Sequence, residues 1–215
     1  MEKEKNWLNR FLITGFIVFS TVFLAFMNSE PHTLSWLVKT FPIACLALFV
    51  FLNMPGKRLL GVGLVFSGIG DILLELPVEG LFEAGMGAFI LAHLCYISLF
   101  LRKPSVTLRR VLVIGGMVLF TLGFAIRLYP ALGPMKVPIF VYLGVILAMG
   151  VSACIGRYTN GIIISGAVLF IISDALIAYP MFVAPIAYSN FWVMFSYYAA
   201  QALLTYGTLK MTPQR

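Results

Sequence analysis

The sequence predicts an all-α polytopic membrane protein, a bundle of eight transmembrane helices, and three observations predict it. Of the 215 residues 61% are hydrophobic and 11% charged, at a mean hydropathy of +0.99, whereas a water-soluble domain carries about 25% charged residues. The charges gather in short clusters and leave apolar stretches long enough to cross a hydrocarbon core, which takes roughly 20 helical residues. Prolines are expected to fall between those stretches, at Pro31, Pro55, Pro77, Pro104, Pro130, Pro180 and Pro185, where a missing N–H costs least. Pro42 is the one clear proline expected inside a helix.

Hydropathy in windows of helix length places the spans at 7–27, 34–53, 59–76, 82–101, 111–128, 137–155, 161–179 and 189–210. The first follows Lys3, Lys5 and Arg10 and lacks a small-x-small cleavage site, so it reads as an uncleaved first helix and not a signal peptide. Short connections leave no room for a soluble domain, and residues 1–215 read as a single eight-helix transmembrane domain. Sorting the cations by side puts Lys3, Lys5, Arg10, Lys57, Arg58, Arg102, Lys103, Arg109, Arg110, Arg157, Lys210 and Arg215 on one face, with Arg127 and Lys136 opposite. Both termini are then expected in the cytoplasm. The net charge of +7 is thereby a topology signal, and a nucleic-acid partner is not expected. Cys45, Cys95 and Cys154 all lie inside apolar spans, an odd and buried set that argues for packing and against a disulfide framework.

The chain resembles itself. GLVFSGIGDILLELP (63–77) aligns with GAVLFIISDALIAYP (166–180), matching Gly, Val, Ile, Asp, Leu and Pro. The third and seventh helices would be copies, and a parallel four-plus-four duplication would divide the chain into repeats 1–105 and 106–215. The alignment pairs Asp71 with Asp174, each six residues before its proline and expected at one depth near the outer boundary. A carboxylate within the membrane is costly unless it faces the bundle interior, which makes both functional candidates, with inert interhelical glue as the plain alternative.

Other polar residues converge on that level. Lys39 and Tyr142 are each expected five residues in from the outer ends of their helices, and Glu75 follows Asp71 by one turn on the same face. Gly63, Ser67 and Gly70 thin the third helix for close packing. In the fourth, Phe82, Gly85, Phe89, His93, Tyr96 and Phe100 form one stripe, and in the eighth Met194, Tyr198, Gln201 and Thr205 form another beside Tyr197. His93 can be a hydrogen-bonded core residue, Tyr198 and Gln201 can satisfy polar neighbours, and Lys39 can snorkel to the interface. His93 and His32 are the only histidines, so a three-histidine zinc site cannot be built.

These segments resemble the YhhN-like lysoplasmalogenases, a family that includes animal transmembrane members and bacterial homologues. The resemblance rests on VKTFPIACL (38–46), GLVFSGIGDILL (63–74), the spaced Phe82, Gly85, Phe89, His93 and Tyr96, Tyr142, FIISDALIA (170–178) and SYYAAQ (196–201), in order along most of the chain. It implies a membrane hydrolase that cleaves the vinyl ether of lysoplasmalogens, giving a fatty aldehyde and glycerophosphoethanolamine or glycerophosphocholine, without metal or other cofactor. It implies too that Asp71 and Asp174 carry the chemistry, with Lys39, Glu75, His93, Tyr96 and Tyr142, and Ser173, Tyr198 and Gln201, around the lysophospholipid. The membrane would be the endoplasmic reticulum in a eukaryote or the inner membrane in a bacterium. Oligomeric state stays open, a homodimer included.

The chemistry suits the residues. A vinyl ether hydrolyses by protonation of its outer alkene carbon to an oxocarbenium ion, which water captures; an acid and an anion suffice, as when two carboxylates divide labour in glycosidases. The residues alone do not decide which aspartate is the acid, though Glu75 one turn from Asp71 favours that one. Paired membrane carboxylates also suit a proton-coupled transporter, but the spans lack the internal breaks of unwound transporter helices.

Overall fold

The computed structural model describes residues 2–27, 35–76, 78, 80–101 and 103–211. Pro31, His32, Pro77, Arg102 and Arg215 lie outside them, as do the side chains of Lys3 and Lys5. Among the described residues the chain forms eight α-helices: α1 Glu2–Phe26, α2 Ser35–Asn53, α3 Arg58–Glu75, α4 Leu81–Phe100, α5 Leu108–Leu128, α6 Lys136–Ile155, α7 Gly161–Phe182 and α8 Ser189–Leu209. Six segments are long and apolar enough to cross a membrane: Asn6–Phe26, Ser35–Asn53, Leu81–Phe100, Leu108–Ala131, Gly133–Ile155 and Gly161–Phe182. The other two helices, α3 and α8, carry polar residues along their length. Arg58, Asp71 and Glu75 charge α3, and Ser, Asn, Tyr, Gln and Thr recur along α8. Many of their polar groups turn inward: Ser67, Asp71, Ser196, Gln201, Thr205 and Thr208 are all buried. Large apolar side chains instead cover the outside, among them Trp7, Phe11, Leu112, Leu119 and Ile126, the surface a protein presents to lipid.

One punctuation mark is misplaced by the sequence reading. Pro180 lies inside α7 rather than after it, and the helix runs on to Phe182. A proline forfeits only its own bond to the carbonyl four residues back, and the N–H of Val183 still bonds the Tyr179 carbonyl at 2.8 Å beyond it. Pro42 sits within α2 as expected, but Pro138 is helical too, in the first turn of α6, where no N–H is needed. Each of the three helices continues unbroken through its proline.

Two compact units divide the chain at residues 95 and 96, within α4. In the first, α1 and α2 form an antiparallel pair. The amides of Asn9 and Asn53 exchange hydrogen bonds of 2.9 and 2.7 Å, and Phe19 meets Phe41 with ring centroids 4.3 Å apart. Such reciprocal amides satisfy each other where water is absent. Gly68 packs on Thr40 to join α3 to α2, and Gly70 faces Gly85 and Phe89 of α4 so closely that a Cβ on Gly70 would lie 2.6 Å from the Phe89 ring.

In the second unit α7 and α8 pack backbone to backbone. A Cβ on Gly166 would lie 3.0 Å from the Leu204 nitrogen and 3.1 Å from the Ala200 carbonyl oxygen. Asn160 caps α7 by accepting the N–H of Ile163 at 3.1 Å, while its own amide donates to the Gly207 carbonyl at 2.9 Å. Arg110 locks the loops at that end: its guanidinium donates to the carbonyls of Cys154, Gly156 and Thr159 at 3.1, 2.8 and 2.7 Å. The first two stand at the end of α6, where a helix leaves its last carbonyls without partners, and Thr159 lies in the loop before α7.

Candidate functional site

Asp71 is only 3% exposed and belongs to the first unit. It lies on the packed face of α3 with Leu64, Ser67, Gly68 and Gly70, because small residues at this spacing bring the neighbouring helices against the α3 backbone. One turn on, Glu75 is bound from two sides: Lys39 Nζ lies 3.0 Å from its Oε2, and the Ser35 hydroxyl donates to its Oε1 at 3.0 Å. Ser35 and Lys39 stand one turn apart on α2, so a single face of that helix meets Glu75. Glu75 is thus an anion already partnered by a cation, which weakens the expectation that its charge bears on Asp71. Ser35 is missing from the sequence-derived set; its spacing from Lys39 is the signal that could have found it.

Asp174 belongs to the second unit and is half-buried. The Tyr142 hydroxyl of α6 donates to its Oδ2 at 2.5 Å, the short end of the range for an O–H···O⁻ bond. Both residues stand farther from their helix ends than expected. Tyr142 stands six residues after the start of α6 at Lys136, and Asp174 stands eight before the end of α7, because α7 includes Pro180. Asp71 stands four before the end of α3. Ser173, beside Asp174, is turned toward α8, where its hydroxyl donates to the Val193 carbonyl at 3.0 Å.

The remaining expected residues are all buried. His93 is fully buried on the α4 stripe with Phe89. In the second unit the Tyr96 hydroxyl donates to Gln201 Oε1 at 3.1 Å, and Tyr198 packs against Tyr197, whose ring meets Phe170 edge-on at 5.6 Å. The structure therefore joins Lys39 to Glu75, Tyr142 to Asp174, and Tyr96 to Gln201. Among the described residues no group of three or more His, Cys, Asp or Glu side chains could hold a metal ion. The Gln201 amide nitrogen and the Thr205 hydroxyl are buried without a hydrogen-bond partner among the described residues.

These side chains fall within a stretch that matches a known family. The YhhN family model matches residues 34–208. The human lysoplasmalogenase TMEM86A is 37% identical over 193 residues, 82% of this chain and 79% of that protein. The human lysoplasmalogenase TMEM86B is 32% identical over 214 residues, covering 95% and 87%. A lysoplasmalogenase of Mycobacterium tuberculosis is 32% identical over 157 residues, covering 70% and 60%. No solved structure matches the chain. Both aspartates and their partners sit within the 34–208 match, and the chain is a member of the YhhN family.

Proposed function

We propose that this protein is a lysoplasmalogenase, an ether hydrolase of the membrane that cleaves the vinyl ether of lysoplasmenylethanolamine or lysoplasmenylcholine. The products are a fatty aldehyde and glycerophosphoethanolamine or glycerophosphocholine. The observation that carries the reading is a carboxylate within an apolar helix, Asp174, met by a phenol at 2.5 Å, in a chain that resembles lysoplasmalogenases over most of its length. Intramembrane carboxylates with named partners are functional by default.

In the proposed mechanism the Asp71 carboxyl gives its proton to the outer alkene carbon. The alkene π pair forms the new C–H bond, and positive charge spreads over the adjoining carbon and the ether oxygen. Asp174, oriented by Tyr142, faces that charge. Water adds to the cationic carbon and releases a proton to a carboxylate, and the hemiacetal collapses to the aldehyde and the glycerol hydroxyl. Electrostatic stabilisation of the oxocarbenium ion and proton delivery are the two terms the site must supply. Lys39 would meet the phosphate or steady the Asp71 end through Glu75. The lipid would stand with its head at the Lys39 end and its chain toward Phe89 and His93, with Tyr96, Ser173, Tyr198 and Gln201 shaping the remainder of the site.

We place all eight helices across the membrane, α3 and α8 included. Their 18 and 21 residues rise about 27 and 31 Å, enough for the core, and many of their polar groups face inward. Both termini would be cytoplasmic, in the endoplasmic reticulum of a eukaryote or the inner membrane of a bacterium, and the four-plus-four duplication would relate α3 to α7. Reporter fusions at Glu30 and Arg215 should fall on opposite sides; both on one side would overturn that topology.

Purified protein incubated with lysoplasmenylethanolamine should release fatty aldehyde, and the rate should be indifferent to chelators. An inactive, folded preparation overturns the assignment, and activity lost to a chelator and restored by zinc overturns its metal-free mechanism.

A further inference from the structure

α8 carries a polar stripe to which the proposed function gives no chemical step, Tyr198 and Gln201 serving there only to shape the site. Tyr198, Gln201, Thr205 and Thr208 recur at spacings of three, four and three residues, one face of a helix. Their exposures are 3%, 0%, 4% and 0%. The Tyr96 hydroxyl occupies Gln201 Oε1, yet the amide nitrogen of Gln201 and the hydroxyl of Thr205 find no partner among the described residues. Polar atoms in an apolar surround are costly when left so. α7 packs on the neighbouring face of α8, where Ile163, Gly166 and Phe170 meet Gly207, Ala200, Leu203, Leu204 and Tyr197.

We propose that this face of α8 holds a column of water that feeds the hydrolytic site. The donors and acceptors select the ligand. An amide N–H repels a cation, no neighbouring positive side chain of the stripe answers an anion, and alternating amide and hydroxyl groups suit a small molecule that both donates and accepts. From Thr208 to Tyr198 the stripe climbs roughly 15 Å. Its lower end is two residues from exposed Lys210, close to water. Its upper end lies at the level of Phe170, which Tyr197 touches, one turn of α7 from Asp174. The inference rests on the proposed hydrolysis, which consumes one water for each ether cleaved: the water oxygen bonds to the oxocarbenium carbon, one of its protons passes to a carboxylate, and the other stays on the hemiacetal. The lipid enters from the bilayer and the water along α8, so neither must cross the other.

Radiolytic hydroxyl-radical labelling of the full-length protein in nanodiscs tests this, since radicals born from bound water mark the side chains beside it. Tyr96 and Tyr198 should be labelled although buried, while Met149, equally buried and intrinsically more reactive, stays unmarked. Thr205→Val should lower labelling of both tyrosines severalfold and reduce kcat with KM unchanged, and Thr205→Ser should restore both. Tyrosines as inert as Met149 in the wild-type protein would overturn the column, whether or not any variant folds. Labelled tyrosines with normal turnover in a folded Thr205→Val protein would overturn its role in delivery. A wild-type protein inert toward lysoplasmenylethanolamine sinks the hydrolase reading instead, and the labelling still decides the column.

Discussion

Asp71 in α3 and Asp174 in α7 match in sequence, yet their surroundings differ. Asp71 is almost wholly buried, beside the glycine contact that binds α3 to α4, and the charged pair near it belongs to Glu75 and Lys39 one turn on. Asp174 is half-buried, twice as far from the end of its helix, and takes the phenol directly. The difference suggests a division of labour. In α3 a lysine and a second carboxylate pair one turn beyond Asp71, which we propose as the proton donor; in α7 the tyrosine hydroxyl donates to the aspartate and fixes its direction. Two aspartates that align in sequence would thus do different halves of the proposed reaction.

The largest effects should come from the aspartates. Asp71→Asn or Asp174→Asn keeps shape and hydrogen bonding but removes the transferable proton and the charge, and each should lower vinyl-ether turnover by about a thousandfold or more, measured as aldehyde release. Tyr142→Phe sharpens the contrast, because it disturbs only the α7 side. Losing a hydrogen bond to a charged group, about 1.5–3 kcal/mol, predicts a drop in kcat of roughly 10- to 150-fold with the fold intact.

On the α3 side the corresponding weakness is packing. A Cβ at Gly70 meets the Phe89 ring at 2.6 Å and the Gly85 carbonyl at 3.2 Å, whereas one at Gly144 of α6 meets nothing within 4 Å. Gly70→Val should cost about 1–3 kcal/mol and lower the melting temperature in detergent, while Gly144→Ala should hold it or raise it slightly. The smallest effect is expected at Lys39. Its partner Glu75 is partly exposed, so Lys39→Met should remove about 1 kcal/mol, roughly fivefold in kcat/KM, and adding Glu75→Gln should make it little worse.

The helices were legible because a membrane span is a matter of length and apolarity, and α3 and α8 emerged from the sequence despite their polar residues because charges and turns bound them on both sides. Pro180 was not legible: whether a proline ends or merely interrupts a helix depends on the residues that close the turn after it, here Val183 and Tyr179. Tyr142 could be placed near an aspartate by depth alone, but its hydrogen bond to Asp174 depends on how α6 packs on α7, which no single-chain pattern encodes. The same holds for Lys39, whose contact with Glu75 follows from the register of α2 on α3. Arg110 counted in the sequence only as a topology charge, and its grip on three loop carbonyls became visible once the loops were placed.

The most direct test of the central claim is a double-mutant cycle on Asp71→Asn and Asp174→Asn, with aldehyde release from lysoplasmenylethanolamine measured on proteins checked for folding. If the two aspartates act as one acid and anion unit, the double variant should be scarcely slower than either single, because members of a catalytic unit are strongly non-additive. Single variants that fold well and hydrolyse the vinyl ether at near-normal rates would contradict the account and leave both carboxylates as interhelical hydrogen-bonding groups.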